Sequence, residues 1–468
     1  MECSKRDLWG YEVHTASDDC IAAINAFYHQ VLSFGRGRSV ILQAPEHDPE
    51  CVLGNALAAH FLASSDPPRA PPYFDAARSR LEEATEYEKA VFESVSYLAS
   101  EDEDDDVAVE LHSKLLDEFP NDLFSLKRAQ LLCFYMGEPE LSLNLVQKVL
   151  PVHEDGNYIY GMLAFALLEH GRMKEAAEAA RKGFEINKRD FWSQHALCHV
   201  LQYECRFKEA VEFMVECSTT WTSCSSFMYT HNWWHIALCY LEGGAPVDQV
   251  LRIYDEHIWK ELEKPDASPP EVYLGALGLL LRVYVHGEIY ILQDRLQILA
   301  DRVRDRSVWF IEWHLDLLIL WALAVTKESS GAEELLEGLR SKVSRMIEKK
   351  QRVMQGALKL AEALYEFGKG NEELSLEPLG SGFDAVHYKF IGASDEQLDV
   401  FNEVYYVMLL RAGKAEEATD VLEKRVKERE GLPFLWRLLA LGYAMAGRSE
   451  AAKAAGETSR ALEIAHFS

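Results

Sequence analysis

Two blocks of 34 residues, 157–190 and 191–224, repeat one another: Arg172-Met173-Lys174-Glu175-Ala176 returns as Arg206-Phe207-Lys208-Glu209-Ala210. That period belongs to helix-turn-helix repeat arrays. The same spacing recurs near the C-terminus, where Gly413-Lys414-Ala415-Glu416-Glu417-Ala418 is echoed by Gly447-Arg448-Ser449-Glu450-Ala451-Ala452. One such unit cannot bury its apolar stripe alone, so the repeat predicts an all-α, right-handed solenoid of stacked helix pairs without sheet. Architecture is thereby constrained far more than function.

A chain of 468 residues can be one such array, because solenoids grow by adding units. Within it the sequence divides into divergent helix pairs over 1–150, the best-defined repeats over 157–262, a divergent helical region over 271–367, an irregular segment over 368–396 and C-terminal repeats over 397–468. Helices are expected from Asp18 to Phe34, with Asp18 and Asp19 capping, and from about Pro49 to Ala63, with a turn at Gly35–Arg38 between them. After four prolines in 64–72, helix should resume from Tyr73 to Ser100. Two helices separated by 119–122 are expected over 107–150, and an insertion from Ser218 to Tyr229 should precede a helix starting near His231. Gly380-Ser381-Gly382 has no strand before it and makes a poor phosphate loop.

The net charge of −28 repels phosphate backbones and anionic membranes, so the expected partners exclude nucleic acid and favour basic or neutral ligands. The acidic run 101–106 reads as a solvated turn rather than a calcium loop, since it lacks spaced ligands and a glycine. Nine scattered cysteines without a CxxC pair argue against a disulfide framework. With no secretory signal and no apolar run long enough to span a bilayer, a cytoplasmic protein is expected.

Several blocks together resemble the tetratricopeptide-repeat protein 38 family, within the tetratricopeptide-repeat-like proteins. They are Asp48-Pro49 with Gly54 and Ala56, Pro120 and Asp122 with Leu126-Lys127, and Tyr158, Gly161, Phe165, Leu167 and Glu169. Trp192-Ser193 with His195 and His199, then His231-Asn232 with Trp234-His235 and Ala237-Leu238, are the strongest. Ile253-Tyr254-Asp255 and Gln397 with Asp399-Val400-Phe401 extend the likeness to near the C-terminus. The resemblance implies an all-helical protein with no assigned reaction. Three positions depart from the family pattern: Leu398 stands for Arg, Leu318 for the His of an Asp-x-His element at Asp316, and Gly275 for an Asp.

His195 and His199 lie one helical turn apart, on a stripe that includes Gln202, and His231 and His235 repeat the spacing with Glu242 on the same face. First helices of such repeats normally line a concave surface, so Tyr158, Phe165, Glu169, His195, His199, Gln202, Tyr203, His231, Trp234, His235, Glu242, Asp316 and Asp399 form the candidate groove. Gly161 should leave space in front of His195. Four imidazoles are candidate metal ligands or acid-base groups, although the Glu of a metalloprotease motif is missing, with Ala196 and Asn232 in its place. Asp316 and Asp399 are candidates to orient histidines, or alternatively to cap helices. The competing structural role is a hydrogen-bonded polar and aromatic layer between repeats, with Trp192, Trp233 and Trp234 as bulk.

No nucleophile stands out, no catalytic residue can be named, and no cofactor is implied. The expected function is a binding protein that presents its groove to a protein or peptide. The alternative is a small-molecule or metal-binding protein, or an enzyme, with a histidine pocket. An enclosed cluster favours the second, an open groove the first.

Overall fold

The computed structural model describes residues 4–100 and 104–467, and nearly every ordered segment among them is helix. Helix pairs follow the repeat: Ile159–Glu169 with Met173–Ile186, Phe191–Tyr203 with Phe207–Ser218, Asp395–Arg411 with Ala415–Glu428, and Pro433–Met445 with Ser449–Phe467. The second helices of the first three pairs each bury an alanine in the first turn, Ala176, Ala210 and Ala418. In Met173–Ile186 the buried residues are Ala176, Ala177, Ala179, Ala180 and Gly183, while Lys and Glu face out. The intervening turn needs a left-handed residue, supplied by Gly171, Gly413 and Gly447. In the second copy Cys205 occupies that place at φ 57°.

Some local expectations are corrected. A two-stranded antiparallel ribbon pairs Ser4–Arg6 with Glu12–His14, because Gly10 adopts φ 84° and the Asp7 carboxylate accepts from the Trp9 and Tyr11 amides to fold the turn. Helix Asp18–Leu32 is capped by Ser17, whose hydroxyl accepts from the Cys20 amide. Short helical segments occupy 38–42 and 43–47, between the turn expected at Gly35–Arg38 and the next long helix, Val52–Ser65. Within 73–100 a new helix, Glu86–Tyr97, starts at a Thr85–Glu88 capping box. The region 107–150 holds parts of three helices, since Gly137 at φ 72° ends Leu123–Met136 and Pro139 opens another. The helix expected near His231 begins at Ser226. Residues 101–103 of the acidic run lie outside the described residues; Asp104 caps Asp105–Glu118.

The chain packs as two compact units, one formed by residues up to Leu197 with Ser223–Ser225, the other by Cys198–Thr222 with the residues from Ser226 onward. The first has a core around Ile24, Phe27, Tyr28, Leu53, Leu57, Phe92 and Phe124. In the second, Pro269–Val285 packs against Ser226–Glu242, Trp313–Val325 and Asp395–Arg411, and the C-terminal helix Ser449–Phe467 returns onto Phe207–Ser218. Pro269–Val285 and Trp313–Val325 are buried almost all round, as helices at the centre of a structure are. Their inner faces therefore meet other helices rather than an open surface.

Candidate functional site: a buried histidine and carboxylate centre

The site is built inside the second unit from buried faces of several helices. Ser226–Glu242 carries His231, Trp234 and His235 at three- and four-residue spacing, which places them on one face. His199 and Gln202 come from the end of Phe191–Tyr203. One ring nitrogen each of His199, His231 and His235 lies within 4.8 Å of the others, and the three residues are 0 to 5% exposed. Ring contacts fix their tilt: His199 and His235 are 4.4 Å apart between centroids, His231 meets His235 edge-on at 4.8 Å, and His231 is stacked between Phe227 and Trp234.

A carboxylate joins them. Glu396 Oε2 stands 2.6 Å from His199 Nδ1. Glu396 sits in the first turn of Asp395–Arg411, behind a Ser394–Gln397 capping box, where the helix dipole favours an acid. Burial pushes its carboxyl up, but the charge and hydrogen bond of His199 outweigh that and hold it below the usual range. Burial and the charge of His199 hold His231 down at about 3, so its imidazole is neutral, the form that ligates metals. His235 Nδ1 is 3.0 Å from Gln202 Oε1, while Gln202 Nε2 donates to Glu242 Oε2 at 3.2 Å. Because the Gln202 oxygen can only accept, Nδ1 carries the proton, and in the neutral ring Nε2 keeps the lone pair.

Beneath the histidines runs a layer of ion pairs. Arg282 Nη1 is 3.1 Å from Glu403 Oε1 and 3.6 Å from Glu242 Oε1; Arg429 Nη2 is 3.1 Å from Glu242 Oε2 and donates to the Gln202 carbonyl. Arg282 also donates to the Glu396 carbonyl, which ties the two layers together. Asp399 faces Arg425 at 2.8 Å; burial would raise its carboxyl, yet Arg425, Arg282 and Arg429 hold it at about 2. Guanidinium forks suit such dense carboxylate pairing.

Of the candidate residues, the structure brings His199, Gln202, His231, Trp234, His235 and Glu242 together. His195 lies one turn before His199 on the same helix, buried and stacked on Trp192 at 5.0 Å. Tyr203 is 42% exposed beneath the Arg429 guanidinium. Neither aspartate orients a histidine: Asp316 accepts from the Phe310 amide and Asp399 takes Arg425, while Ser394 supplies the cap. In the first unit, the Tyr158 hydroxyl meets His29 Nδ1 at 3.0 Å, Phe165 packs on Trp192, and Glu169 is buried. Gly161 does not leave space for His195. A Cβ there would lie 2.8 Å from Asp190 Oδ2 and 3.1 Å from Ser193 Oγ, so the glycine admits the Asp190–Ser193 hydrogen bond. Leu318 and Leu398 are buried apolar contacts, and Gly275 has only Thr230 Oγ1 near a would-be Cβ, at 3.8 Å.

Sequence reasoning missed Glu396, Arg282, Glu403, Arg429 and His314. A signal existed for Arg282, which interrupts the run Leu279-Leu280-Leu281-Arg282-Val283, and for Glu403 between Val400-Phe401 and Val404. Charges embedded in apolar helices are paired when buried.

No family model matches the chain. Among solved structures it is similar to the human IFIT1 dimer with m7Gppp-AAAA, at 13% identity over 95% of this chain and 89% of that one, with a TM-score of 0.39. It is also similar to the P58(IPK) TPR domain, at 14% identity over 81% of this chain and 93% of that one, with a TM-score of 0.22. The all-α, tetratricopeptide-like architecture rests on the chain's own helix pairs.

Proposed function

We propose that the chain is a ligand-binding helical-repeat protein of the tetratricopeptide-repeat protein 38 type, cytoplasmic, whose ligand site is the buried histidine centre, and that this centre holds a first-row divalent metal ion. The observation that carries the reading is the convergence of His199, His231 and His235 nitrogens from two helices, with the Glu396 carboxylate against one of them. Borderline imidazole nitrogens suit zinc, iron or nickel, with the Glu396 carboxylate against His199 Nδ1 as an orienting partner. The ion pairs beneath hold the ligand-bearing helices at fixed separation, as supporting shells do at metal sites.

Elemental analysis of protein purified from its own source, followed by equilibrium dialysis against zinc, nickel and iron(II), tests this. Stoichiometric metal, lost in His231→Ala and His235→Ala, is expected. Protein without metal and without saturable uptake would show that the histidines form a structural polar layer.

A second reading has its own observation. In the same unit a cleft of about 620 Å³ is lined by Glu333, Glu337, Glu362, Glu366 and Glu377, with Arg340 paired to Glu337 and Glu362 and with Leu336, Leu374 and Tyr365 as its apolar part, so acids outnumber the one cation. Its charge fits a basic peptide, consistent with a scaffold role. Peptide-array binding abolished by Glu337→Lys with Glu377→Lys, and indifferent to His235→Ala, would favour it.

A further inference from the structure

The inner faces of three helices, Ser226–Glu242, Pro269–Val285 and Trp313–Val325, hold groups that the metal ligands do not use. Gly275 and Gly278 stand one turn apart on Pro269–Val285, a helix whose other inner positions are filled by bulky residues. A Cβ at Gly275 would meet only Thr230 Oγ1 at 3.8 Å; at Gly278 it would meet Trp234 Nε1 at 3.7 Å and Leu318 Cδ1 at 3.9 Å. These are ordinary contact distances, so each position has methyl-sized room. The indole nitrogen at that room, Trp234 Nε1, belongs to a residue 3% exposed and has no hydrogen-bond partner among the described residues. Buried indole N–H groups ordinarily have one. One turn before Leu318, His314 is 2% exposed, and its Nδ1 is likewise unpartnered among the described residues. Trp234 stacks on His231 at 5.2 Å, which places this room beside the histidine centre.

We infer that the histidine centre has an adjoining subsite, between Trp234, Gly275, Gly278 and His314, that takes the carboxylate of a small organic acid. An indole N–H is a donor only and selects an acceptor oxygen. An anion is selected over a neutral carbonyl because a divalent ion at the histidines would place positive charge beside the indole, with Glu396 as the adjacent carboxylate. Size is set by the two glycines, which admit a one- or two-carbon group and no bulky side chain. Trp234 and His314 are thus assigned as ligand-binding residues. The assignment rests on the metal reading for its choice of an anion, but the room at the two glycines and the unpartnered indole do not depend on it.

The test uses the full chain labelled with ¹⁵N at the tryptophan indoles, with formate as the probe, in zinc-loaded and metal-free forms. The Trp234 indole resonance is identified by its loss in Trp234→Phe. In zinc-loaded protein that resonance should move saturably with formate. Gly278→Ala, which meets no clash, should keep the fold, the melting temperature and zinc stoichiometry while weakening formate binding by about tenfold or more. Trp234→Phe should likewise retain zinc. A resonance that formate leaves in place while zinc is bound, or a saturable shift untouched by Gly278→Ala, overturns the subsite. If the protein takes up no zinc, the metal reading fails and the metal-free titration decides: a saturable shift abolished by Gly278→Ala supports the subsite, and an unmoved resonance removes it as well.

Discussion

His199 Nδ1 and Glu396 Oε2 meet at 2.6 Å with side-chain exposures of 0 and 8%. Breaking a buried pair from one side leaves an uncompensated charge and typically costs about 3–5 kcal/mol. Glu396→Gln should therefore destabilise the protein on that scale. Ser394→Ala, which removes only the neighbouring helix cap, should cost about 0.5–2 kcal/mol. Urea denaturation compares them, and equal, small losses would show that the pair carries no charge.

Arg429 reaches Glu242 from a distant part of the chain, and both are nearly inaccessible to water. Arg429→Met should destabilise by about 3–5 kcal/mol because Glu242 keeps its charge with one partner fewer. Glu242→Gln placed in the Arg429→Met background should restore part of that loss. Strict additivity in the double-mutant cycle would contradict a direct pair.

Asp316 offers a pH test away from the histidine centre. Burial raises its carboxyl from 3.8 to about 7, against the Phe310 amide bond and the Lys342 charge, and Oδ2 has no hydrogen-bond partner among the described residues. The folded state thus binds a proton that the unfolded chain releases. Its stabilising contribution is full below pH 3.8 and is lost as pH rises through about 7. Asp316→Asn should gain stability over the wild type as pH rises through that window, by on the order of a few kcal/mol at its upper end. Chemical denaturation at both ends measures it, and a pH-independent difference would refute it.

The repeat register is tested by size. Ala176 and Ala210 are fully buried, so replacing either with Leu should cost about 1–3 kcal/mol through overpacking. Gly161→Ala should also destabilise, although alanine favours helix, because its Cβ would press on Asp190 and Ser193. Melting temperatures unchanged in all three would mean that the helices approach elsewhere.

The helix pairs at 159–218 and 395–467 were legible because period and buried small residues agree, with a turn glycine in three of the four and Cys205 in the other. The N-terminal ribbon was not, since strands of three residues carry too little pattern and depend on the Asp7 carboxylate. His199, His231 and His235 were legible as a face, because i, i+4 spacing fixes direction within one helix. Their enclosure was not legible. It depends on Arg282, Glu396 and Arg429, which come from helices and a loop far along the chain, and spacing cannot report which distant helix arrives. Assigning Asp316 and Asp399 to the histidines failed for the same reason: the nearest partners are an amide and an arginine that only tertiary packing supplies.

Helical arrays held together by neighbour contacts alone can fray from either end. The second unit has a clasp across it, since Arg429 is separated by 187 residues from Glu242 and by 227 from Gln202. Closing so long a stretch is slow and depends on the last helices being present. On the ribosome, the histidines emerge well before the arginine that closes the ring behind them, so the centre matures late. Once closed, the unit has no loose end from which to unzip, and it should melt as one cooperative block rather than repeat by repeat.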